Sequence, residues 1–175
     1  GIPTGVKIFG VKTATELVKA GQQADLLLGN NVLAHVPDLN DFVAGMKILL
    51  KPNGIITMEF PHLLRLMEGN QFDTIYHEHF SYFSFLTVEK VFAKHGLTLF
   101  DVEELTTHGG SLRIFAKHTE NNRQPVTDRV TKLTQLERQV GLDQLQTYQK
   151  FSEQVRQTKR NILNFLIQAK QAGKT

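Results

Sequence analysis

The sequence predicts an α/β domain in which parallel strands are closed by an antiparallel hairpin and followed by a helical extension. Two short apolar runs, residues 24–29 and 55–60, are typical of strands buried on both faces, and residues 38–50 between them repeat at helical spacing. Residues 97–105 and 111–117 are two further strand-like runs around a turn with two glycines, which predicts a hairpin. This order of elements favours a mixed sheet.

The first elements follow from local signals. Residues 4–9 alternate apolar and polar side chains and predict a short strand. Residues 13–20 predict a helix, with Thr13 as N-cap and Glu16 three residues later completing a capping box. Gly21 then ends this helix.

The middle of the chain alternates elements and breaks. Residues 30–37 follow the first buried strand as a loop, and the turn residues 51–54 break the next helix before its strand begins. Residues 62–84 form an insert rich in ionisable and aromatic side chains. A helix over residues 87–94 follows, with Thr87 as its cap.

The C-terminal third predicts helices. A polar linker at residues 119–125 precedes two amphipathic stretches, residues 126–140 and 145–172, whose apolar side chains recur every three or four positions. We therefore divide the chain into a sheet domain at residues 1–118, the linker, and a helical extension at residues 126–175.

Composition narrows the possible functions. The 175 residues suffice for one compact domain, and 41% hydrophobic with 21% charged residues is ordinary for a globular protein. Without cysteine, these residues cannot form a disulfide, a thiol nucleophile or a thiolate zinc site, and we expect a cytoplasmic protein. No apolar run reaches the ~20 residues of a membrane span. The small net charge of +3 carries no basic stripe, so we expect neither nucleic acid nor membrane as a partner.

One segment concentrates proton-handling side chains. Tyr76, His77, Glu78 and His79 are consecutive. In an extended segment, Glu78 would lie beside Tyr76, and His77 beside His79, because side chains two apart share a face. A base, a group that tunes it and a phenol that binds a developing oxyanion are the parts that proton abstraction requires.

Four motifs resemble those of S-adenosylmethionine-dependent C-methyltransferases that act on nucleotide-linked deoxysugars. The resemblance covers essentially residues 1–118, in order and spacing. The motifs are Asn30-Asn31-Val-Leu-Ala-His35-Val-Pro-Asp38, Glu59-Phe60-Pro61, Phe72-Asp73-Thr-Ile-Tyr76-His77-Glu78-His79 and His108-Gly109-Gly110-Ser111-Leu112-Arg113. The resemblance implies a partial Rossmann-like sheet and methyl transfer to a carbon of a ketosugar.

The resemblance also implies roles for the insert. Methyl transfer to carbon requires removal of a proton next to the carbonyl, and His79 is the expected general base, since an imidazole has a suitable pKa. Glu78 is expected to orient a histidine or hold a sugar hydroxyl, and Tyr76 to donate to the enolate oxygen. His35, in the loop after a parallel strand, is a second candidate for enolate stabilisation or proton transfer. Packing or solvated-loop roles are the alternatives for each.

Cofactor and sugar sites follow from the same motifs. Asn30 and Asn31 are candidates for the amino-acid part of S-adenosylmethionine, with turn formation as the alternative, and Phe9 for its adenine, with core packing as the alternative. The predicted turn and the strand after it are expected to line the sugar-nucleotide site, with a tight glycine turn as the alternative. Those residues are His108, Gly109, Gly110, Ser111 and Arg113.

The chain also departs from the family pattern. The resemblance implies a preceding cysteine-rich zinc segment, two strands with a glycine-rich cofactor loop, and a further α/β domain after the last helix. None of these is in this sequence, and no G-x-G-x-G follows a strand. We therefore expect a sheet edge to be left open beside residues 24–29, and a homodimer or element exchange that covers it.

Two other functions stay open. A catalytically silent binding or assembly fragment would be unable to hold the cofactor by itself. A metal-dependent hydrolase would use His77, His79 and His108 as zinc ligands, although no acidic cluster completes such a set.

Overall fold

The structure is a computed structural model that describes residue 1 and residues 4–174, and it contains a four-stranded sheet and six α-helices in that part. The helices are α1 Val11–Lys19, α2 Leu39–Leu49, α3 Leu63–Glu68, α4 Phe85–Lys94, α5 Asp128–Gln139 and α6 Leu145–Gln171. The strands are β1 Ala24–Asn30, β2 Leu50–Pro61, β3 Leu97–Leu105 and β4 Ser111–His118. Single 3-10 turns lie at Leu33–His35, Phe72–Thr74 and Thr107–Gly109.

The sheet confirms the predicted α/β class with its closing hairpin. Its order is β1-β2-β4-β3, with β1 parallel to β2 and the other pairs antiparallel. Pro61 at the end of β2 lies opposite Ser111 at the start of β4. The carboxyl ends of β1 and β2 and the β3–β4 turn therefore meet at one edge of the sheet, where α/β proteins place their ligands.

One hydrophobic core joins the sheet to its helices. β2 contributes Ile56 and Met58, and β4 contributes Leu112 and Ile114, all at most 3% exposed. Helices α2, α4 and α5 add the buried side chains Phe42, Val43, Met46, Val88, Phe92, Val130 and Leu133. Because side chains of α5 belong to this core, the C-terminal part of the chain helps to stabilise the sheet.

The predicted burial of β1 on both faces is wrong. Leu26 and Leu28 are 56% and 63% exposed, because β1 is an edge strand whose partner in the described sheet is β2 alone. The helix over residues 38–50 does end before residues 51–54, at Leu49, but the turn predicted for these residues is wrong. Leu50 pairs with Ala24 and Ile55 already pairs with Leu26, so β2 accommodates these turn residues as a bulge inside the strand.

The predicted start of the chain needs three corrections. Residues 4–9 form no strand; Val6 and Ile8 are 97% and 92% exposed, and two alternating side chains do not hold a strand that has no partner. Helix α1 begins at Val11, whose N–H donates to a carboxylate oxygen of Asp41 at 3.2 Å. This contact from α2 replaces the predicted Thr13 cap.

The two members of the predicted capping box have other partners. The hydroxyl of Thr13 donates to the carbonyl of Ile8, and the carboxylate of Glu16 pairs with Lys7 at 2.5 Å. Gly21 does end the first helical segment, with a left-handed φ of 73°.

The insert and the helix after it differ in detail from the prediction. Residues 62–84 contain helix α3, which the sequence pattern did not indicate. Helix α4 begins at Phe85 rather than at residue 87, because Ser84 is its N-cap and its hydroxyl accepts from the N–H of Thr87 at 3.2 Å. With Ser84 as the N-cap, Thr87 is the third residue of the helix rather than its cap.

Both C-terminal helices are confirmed, and both contact the rest of the protein. The N–H of Thr127, just before α5, donates to the carbonyl of Phe100 in β3 at 2.8 Å. Tyr148 and Phe151 of α6 pack against a second apolar cluster that includes Leu64 and Met67 of α3. Within residues 4–174, no helix combines the length and apolar character that crossing a membrane requires. The three-part division of the chain stays a prediction.

Candidate active site

A cavity of about 210 Å³ lies at the sheet edge where β1, β2 and the hairpin turn meet. Its wall combines strand ends with the insert. The lining residues are Asn31, Pro61, His62, Leu66, Gln71, Thr74, Tyr76, His79, Tyr82, His108 and Gly110. A concave, largely apolar pocket with convergent polar groups is the usual form of a small-molecule site.

The insert is folded as turns in front of this cavity. The N–H of His79 donates to the carbonyl of Tyr76, which closes a turn, and the N–H of Phe80 donates to the carbonyl of Ala34 at 2.8 Å. The expected extended geometry, with Glu78 beside Tyr76 and His77 beside His79, is therefore wrong. Because a turn brings together residues three apart, the neighbours are Tyr76 and His79.

Three rings surround His79. The ring centroid of His35 lies 4.7 Å from that of His79, that of Tyr76 lies 4.8 Å away, and that of Tyr82 lies 5.3 Å away. Both ring nitrogens of His79 are buried and have no hydrogen-bond partner among the residues that the structure describes. Unpaired buried polar atoms are rare in proteins, so the ring of His79 is an exception to the usual pattern.

The surroundings also set the charge of His79. Burial lowers its pKa below the ordinary 6.5, and the nearby imidazoles of His35 and then His108 lower the pKa further. The carboxylate of Glu78 acts in the opposite direction and raises this pKa. The net result favours a neutral imidazole, which is the form that accepts a proton.

His35 is fixed by the insert. Its Nδ1–H donates to the main-chain carbonyl of Glu78 at 3.1 Å. In a neutral imidazole, a proton on Nδ1 leaves Nε2 as an acceptor. The structure thus brings His35 and His79 together from segments 44 positions apart in the sequence, with Nδ1 of His35 held by the insert.

The two tyrosines play different structural parts. The Tyr82 oxygen accepts from the N–H of Tyr76 at 3.0 Å and lies 3.3 Å from the carbonyl of Thr74, so it holds the insert in shape. Tyr76 is 47% exposed and lies over the ring of His79. In this arrangement the Tyr76 ring lies between part of the His79 ring and solvent.

The hairpin turn contributes only part of its predicted set to the cavity. His108 and Gly110 line the wall, and the carbonyl of Gly109 accepts from the side-chain amide of Gln71 at 3.1 Å. Ser111 is buried, and its hydroxyl donates to the carbonyl of Thr107 rather than facing the cavity. The guanidinium of Arg113 also lies outside the cavity wall.

Arg113 is held on the sheet by two carboxylates. Its Nη2 lies 2.9 Å from an oxygen of Glu59, and its Nη1 lies 3.5 Å from an oxygen of Glu103. Glu59 also accepts from the hydroxyl of Thr107 at 3.1 Å. These bonds tie the hairpin turn to β2, so Arg113 shapes the edge on which the cavity sits.

Two of the three candidate cofactor residues, Asn30 and Asn31, lie at the end of β1, and Phe9 lies just before α1. Asn31 lines the cavity, has a left-handed φ of 53°, and donates its N–H to the carbonyl of Glu59 at 2.8 Å. The side chain of Asn30 is exposed. Phe9 packs edge-on against Phe42, with ring centroids 5.3 Å apart, and stays half-buried.

Sequence reasoning missed His62, Tyr82 and Gln71 as cavity residues. Their positions depend on α3 and on the turns of the insert, which carry no strong sequence signal. His77 is exposed and lies outside the cavity wall. Across the described part of the chain, no three His, Cys, Asp or Glu side chains form a group that could hold a metal ion.

Comparison with known proteins agrees with this architecture. A family described as methyltransferase domain matches residues 6–102, and a family described as C-methyltransferase C-terminal domain matches residues 106–175. The chain is 34% identical over 169 residues to the C-methyltransferase NovU of Streptomyces niveus. This alignment covers 95% of the chain and 39% of the relative's length.

Solved structures of methyltransferases are more distant. Magnesium protoporphyrin IX methyltransferase of Synechocystis is 14% identical, with a TM-score of 0.44 and coverage of 57% of this chain and 47% of that one. The 1,6-didemethyltoxoflavin-N1-methyltransferase of Burkholderia thailandensis is 17% identical, with a TM-score of 0.44 and coverage of 57% and 45%. From the family matches along its length, the chain belongs to the methyltransferase-domain family and is a partial homologue of the C-methyltransferases.

Proposed function

We propose that this protein methylates the carbon next to the carbonyl of a nucleotide-linked ketosugar, and that His79 first removes the proton from that carbon. One observation carries the proposal: the half-buried imidazole of His79, whose two buried ring nitrogens have no partner among the described residues, stands in the wall of a cavity at the carboxyl-terminal edge of the sheet. The partial relative that the chain matches along 95% of its length is a C-methyltransferase, and this supports carbon as the acceptor atom.

The proposed cofactor is S-adenosylmethionine, which supplies an electrophilic methyl group when bound. The residues present fit part of it. Asn30 and Asn31 offer amide donors and acceptors for its amino-acid end, and the half-buried ring of Phe9 leaves part of one face for adenine. The sequence carries no G-x-G-x-G loop, so this chain by itself offers an incomplete site.

The proton step uses the geometry around His79. A nitrogen of the neutral imidazole takes the proton, and the electron pair of the broken C–H bond passes into an enolate. The hydroxyl of Tyr76, whose ring centroid lies 4.8 Å from that of His79, is the proposed donor to the enolate oxygen. His35 has its Nδ1–H bonded to Glu78, so in the neutral state its Nε2 suits proton transfer better than donation. The carboxylate of Glu78 then balances the positive charge that develops on His79.

The hairpin turn is the proposed sugar-nucleotide wall. Gly110 adopts a φ of 123°, and a Cβ on it would come within 2.6 Å of the Arg65 side chain, so only glycine fits there. His108 at this turn offers a polar ring to the cavity.

The alternative function is a catalytically silent binding or assembly module. The missing glycine-rich loop and the exposed edge strand β1 favour it for this chain in isolation. Calorimetric titration with S-adenosylhomocysteine separates the two: binding to this chain supports a working site, and binding only to a longer protein supports the module.

Proton abstraction can be measured without methyl transfer. With the full-length protein, S-adenosylhomocysteine and a nucleoside-diphosphate ketosugar in D₂O, the wild type should exchange the proton next to the carbonyl for deuterium. We expect His79→Asn to lower this rate about 10²–10⁴-fold, the usual contribution of a general base. His77→Asn is the matched control, because His77 lies in the same turn but is exposed and outside the cavity wall. Exchange by His79→Asn at the wild-type rate would overturn the assignment.

A further inference from the structure

A buried imidazole–carboxylate pair lies behind the cavity. His62 follows the end of β2, and its Nε2 lies 2.7 Å from Oε1 of Glu137 in α5. Both side chains are 0% exposed. No step of the proposed reaction uses either residue.

The partners of Glu137 fix where the proton in this pair lies. Its Oε1 also accepts from the N–H of Phe85 at 2.8 Å, and its Oε2 accepts from the N–H of Leu86 at 2.8 Å. These are the first two residues of α4, where a helix favours negative charge. An ionised carboxylate only accepts hydrogen bonds, and both oxygens of Glu137 already accept from main-chain N–H groups, so the hydrogen between Glu137 and His62 is assigned to Nε2 of His62.

The other ring nitrogen is left without a partner. Nδ1 of His62 is buried and accepts no hydrogen bond within the described protein. His62 is one of the residues that line the cavity, together with His79 and His108. With Nε2 protonated, Nδ1 of the neutral ring carries a lone pair and therefore acts as an acceptor.

We propose that Nδ1 of His62 accepts a hydrogen bond from a sugar hydroxyl, and that Glu137 is the positioning residue that holds the ring in this tautomer. The inference rests on the proposed function, because it takes the ketosugar as the occupant of the cavity. A ring fixed by a buried carboxylate is pre-organised. A substrate that offers a hydroxyl to Nδ1 therefore binds with little loss of side-chain conformational entropy. A sugar without that hydroxyl leaves Nδ1 unpaired and is rejected.

Two substitutions separate the functions of the two nitrogens. In His62→Gln, the side-chain amide replaces Nε2–H and keeps the bond to Glu137, while the acceptor at Nδ1 is lost. In His62→Asn, the amide oxygen replaces Nδ1, while Glu137 loses its bond to residue 62 and keeps those to Phe85 and Leu86. Affinity for the sugar should therefore fall more in His62→Gln, and thermal stability should fall more in His62→Asn.

The first readout is steady-state kinetics of the full-length protein with the nucleoside-diphosphate ketosugar. We expect His62→Gln to raise KM for the sugar about three- to tenfold, as for loss of one neutral hydrogen bond, with the deuterium exchange rate at saturation unchanged. His62→Asn keeps an acceptor near the position of Nδ1 but loses the bond to Glu137, so it should raise KM less than His62→Gln does and should melt at a lower temperature. The matched control His95→Gln removes a histidine whose Nε2 bonds to Asn40, outside the cavity, and should leave KM unchanged.

Each other outcome contradicts part of the assignment. A wild-type KM in a folded His62→Gln protein overturns the proposal, and so does a large loss of exchange at saturation, which would make His62 a base. If His62→Gln does not fold, histidine ¹⁵N spectra of the wild type decide: addition of the sugar nucleotide must shift Nδ1 of His62, and an unchanged signal overturns the proposal. A wild type that binds no sugar nucleotide rejects the proposed function and this inference together, whereas failure of His62→Gln alone rejects only the inference.

Discussion

At the scale of single residues, the pKa of His79 is set by burial and by charged groups of its own insert and of two other segments, which carry His35 and His108. Burial by neighbouring rings is the largest cause of its lowered pKa, and the imidazole of His35 is the next. A lowered pKa keeps the imidazole unprotonated to lower pH. A free histidine in the same loop would lose half of its base form near pH 6.5.

This environment predicts the pH dependence of proton exchange. Because the pKa of His79 is lowered, we expect the acidic limb of kcat/KM for deuterium exchange to lie below pH 6.5. His35→Asn should move that limb toward higher pH, since it removes a nearby imidazole while its amide N–H keeps the bond to the Glu78 carbonyl. Glu78→Gln should move the limb toward lower pH, since it removes the carboxylate that raises the pKa of His79.

The two variants act as controls for each other. An NMR titration of His79 checks the same shifts without turnover. Displacement of both limbs in the same direction would show that a general loosening of the insert, rather than the charges of His35 and Glu78, sets the pKa of His79.

At the scale of elements, α5 secures the start of α4. Glu137 accepts from the N–H groups of Phe85 and Leu86 and from Nε2 of His62, so one carboxylate connects two helices and the end of β2. An N-terminal helix turn leaves N–H groups without partners inside the helix, and Glu137 supplies the partner from another element.

Replacement of this carboxylate should therefore lower the free energy of unfolding. In Glu137→Gln, the amide NH₂ must face one of three donors, so we expect a loss of about 2–4 kcal/mol in the free energy of unfolding. Urea denaturation measures it. Glu68→Gln is the matched control, because Glu68 is half-exposed and pairs with Arg65 at the surface, where such pairs contribute little. Equal stability of the two variants would contradict the structural part assigned to Glu137.

At the scale of the whole molecule, the main unusual feature is that β1 is an edge strand with an exposed apolar face. Leu26 and Leu28 are exposed on β1, whose outer edge has no partner strand among residues 4–174, and Val6 and Ile8 are exposed just before α1. Open apolar edges favour association with another strand.

We expect this 175-residue chain to associate with a second copy through β1. Light scattering should give a mass above 19.8 kDa, and Leu28→Lys should lower it, because a charge on the exposed face disfavours pairing. Leu145→Lys, at an equally exposed apolar position on α6, is the control and should keep the wild-type mass. A monomeric wild type at high concentration would refute this expectation.

Local patterns predicted most elements of the fold. Helix α2 and the β3–β4 hairpin lie where apolar spacing and turn residues placed them, because these signals act within a few residues. The prediction was wrong at residues 4–9 and at the Thr13 cap, where a missing strand partner and the contact from Asp41 decide the structure. Such contacts join positions about 30 apart and leave no local pattern.

For the candidate site too, some features follow from the sequence and others only from the tertiary structure. The sequence by itself determined which side chains are candidates for the chemistry: the run from Tyr76 to His79, and a histidine after the first parallel strand. Only the tertiary structure decided that His35 lies against His79, that both nitrogens of His79 are unpartnered, and that a buried Glu137 holds His62 at the cavity. The physical reason is that side-chain type is written locally, whereas burial, tautomer and pKa depend on neighbours that only the folded chain brings together.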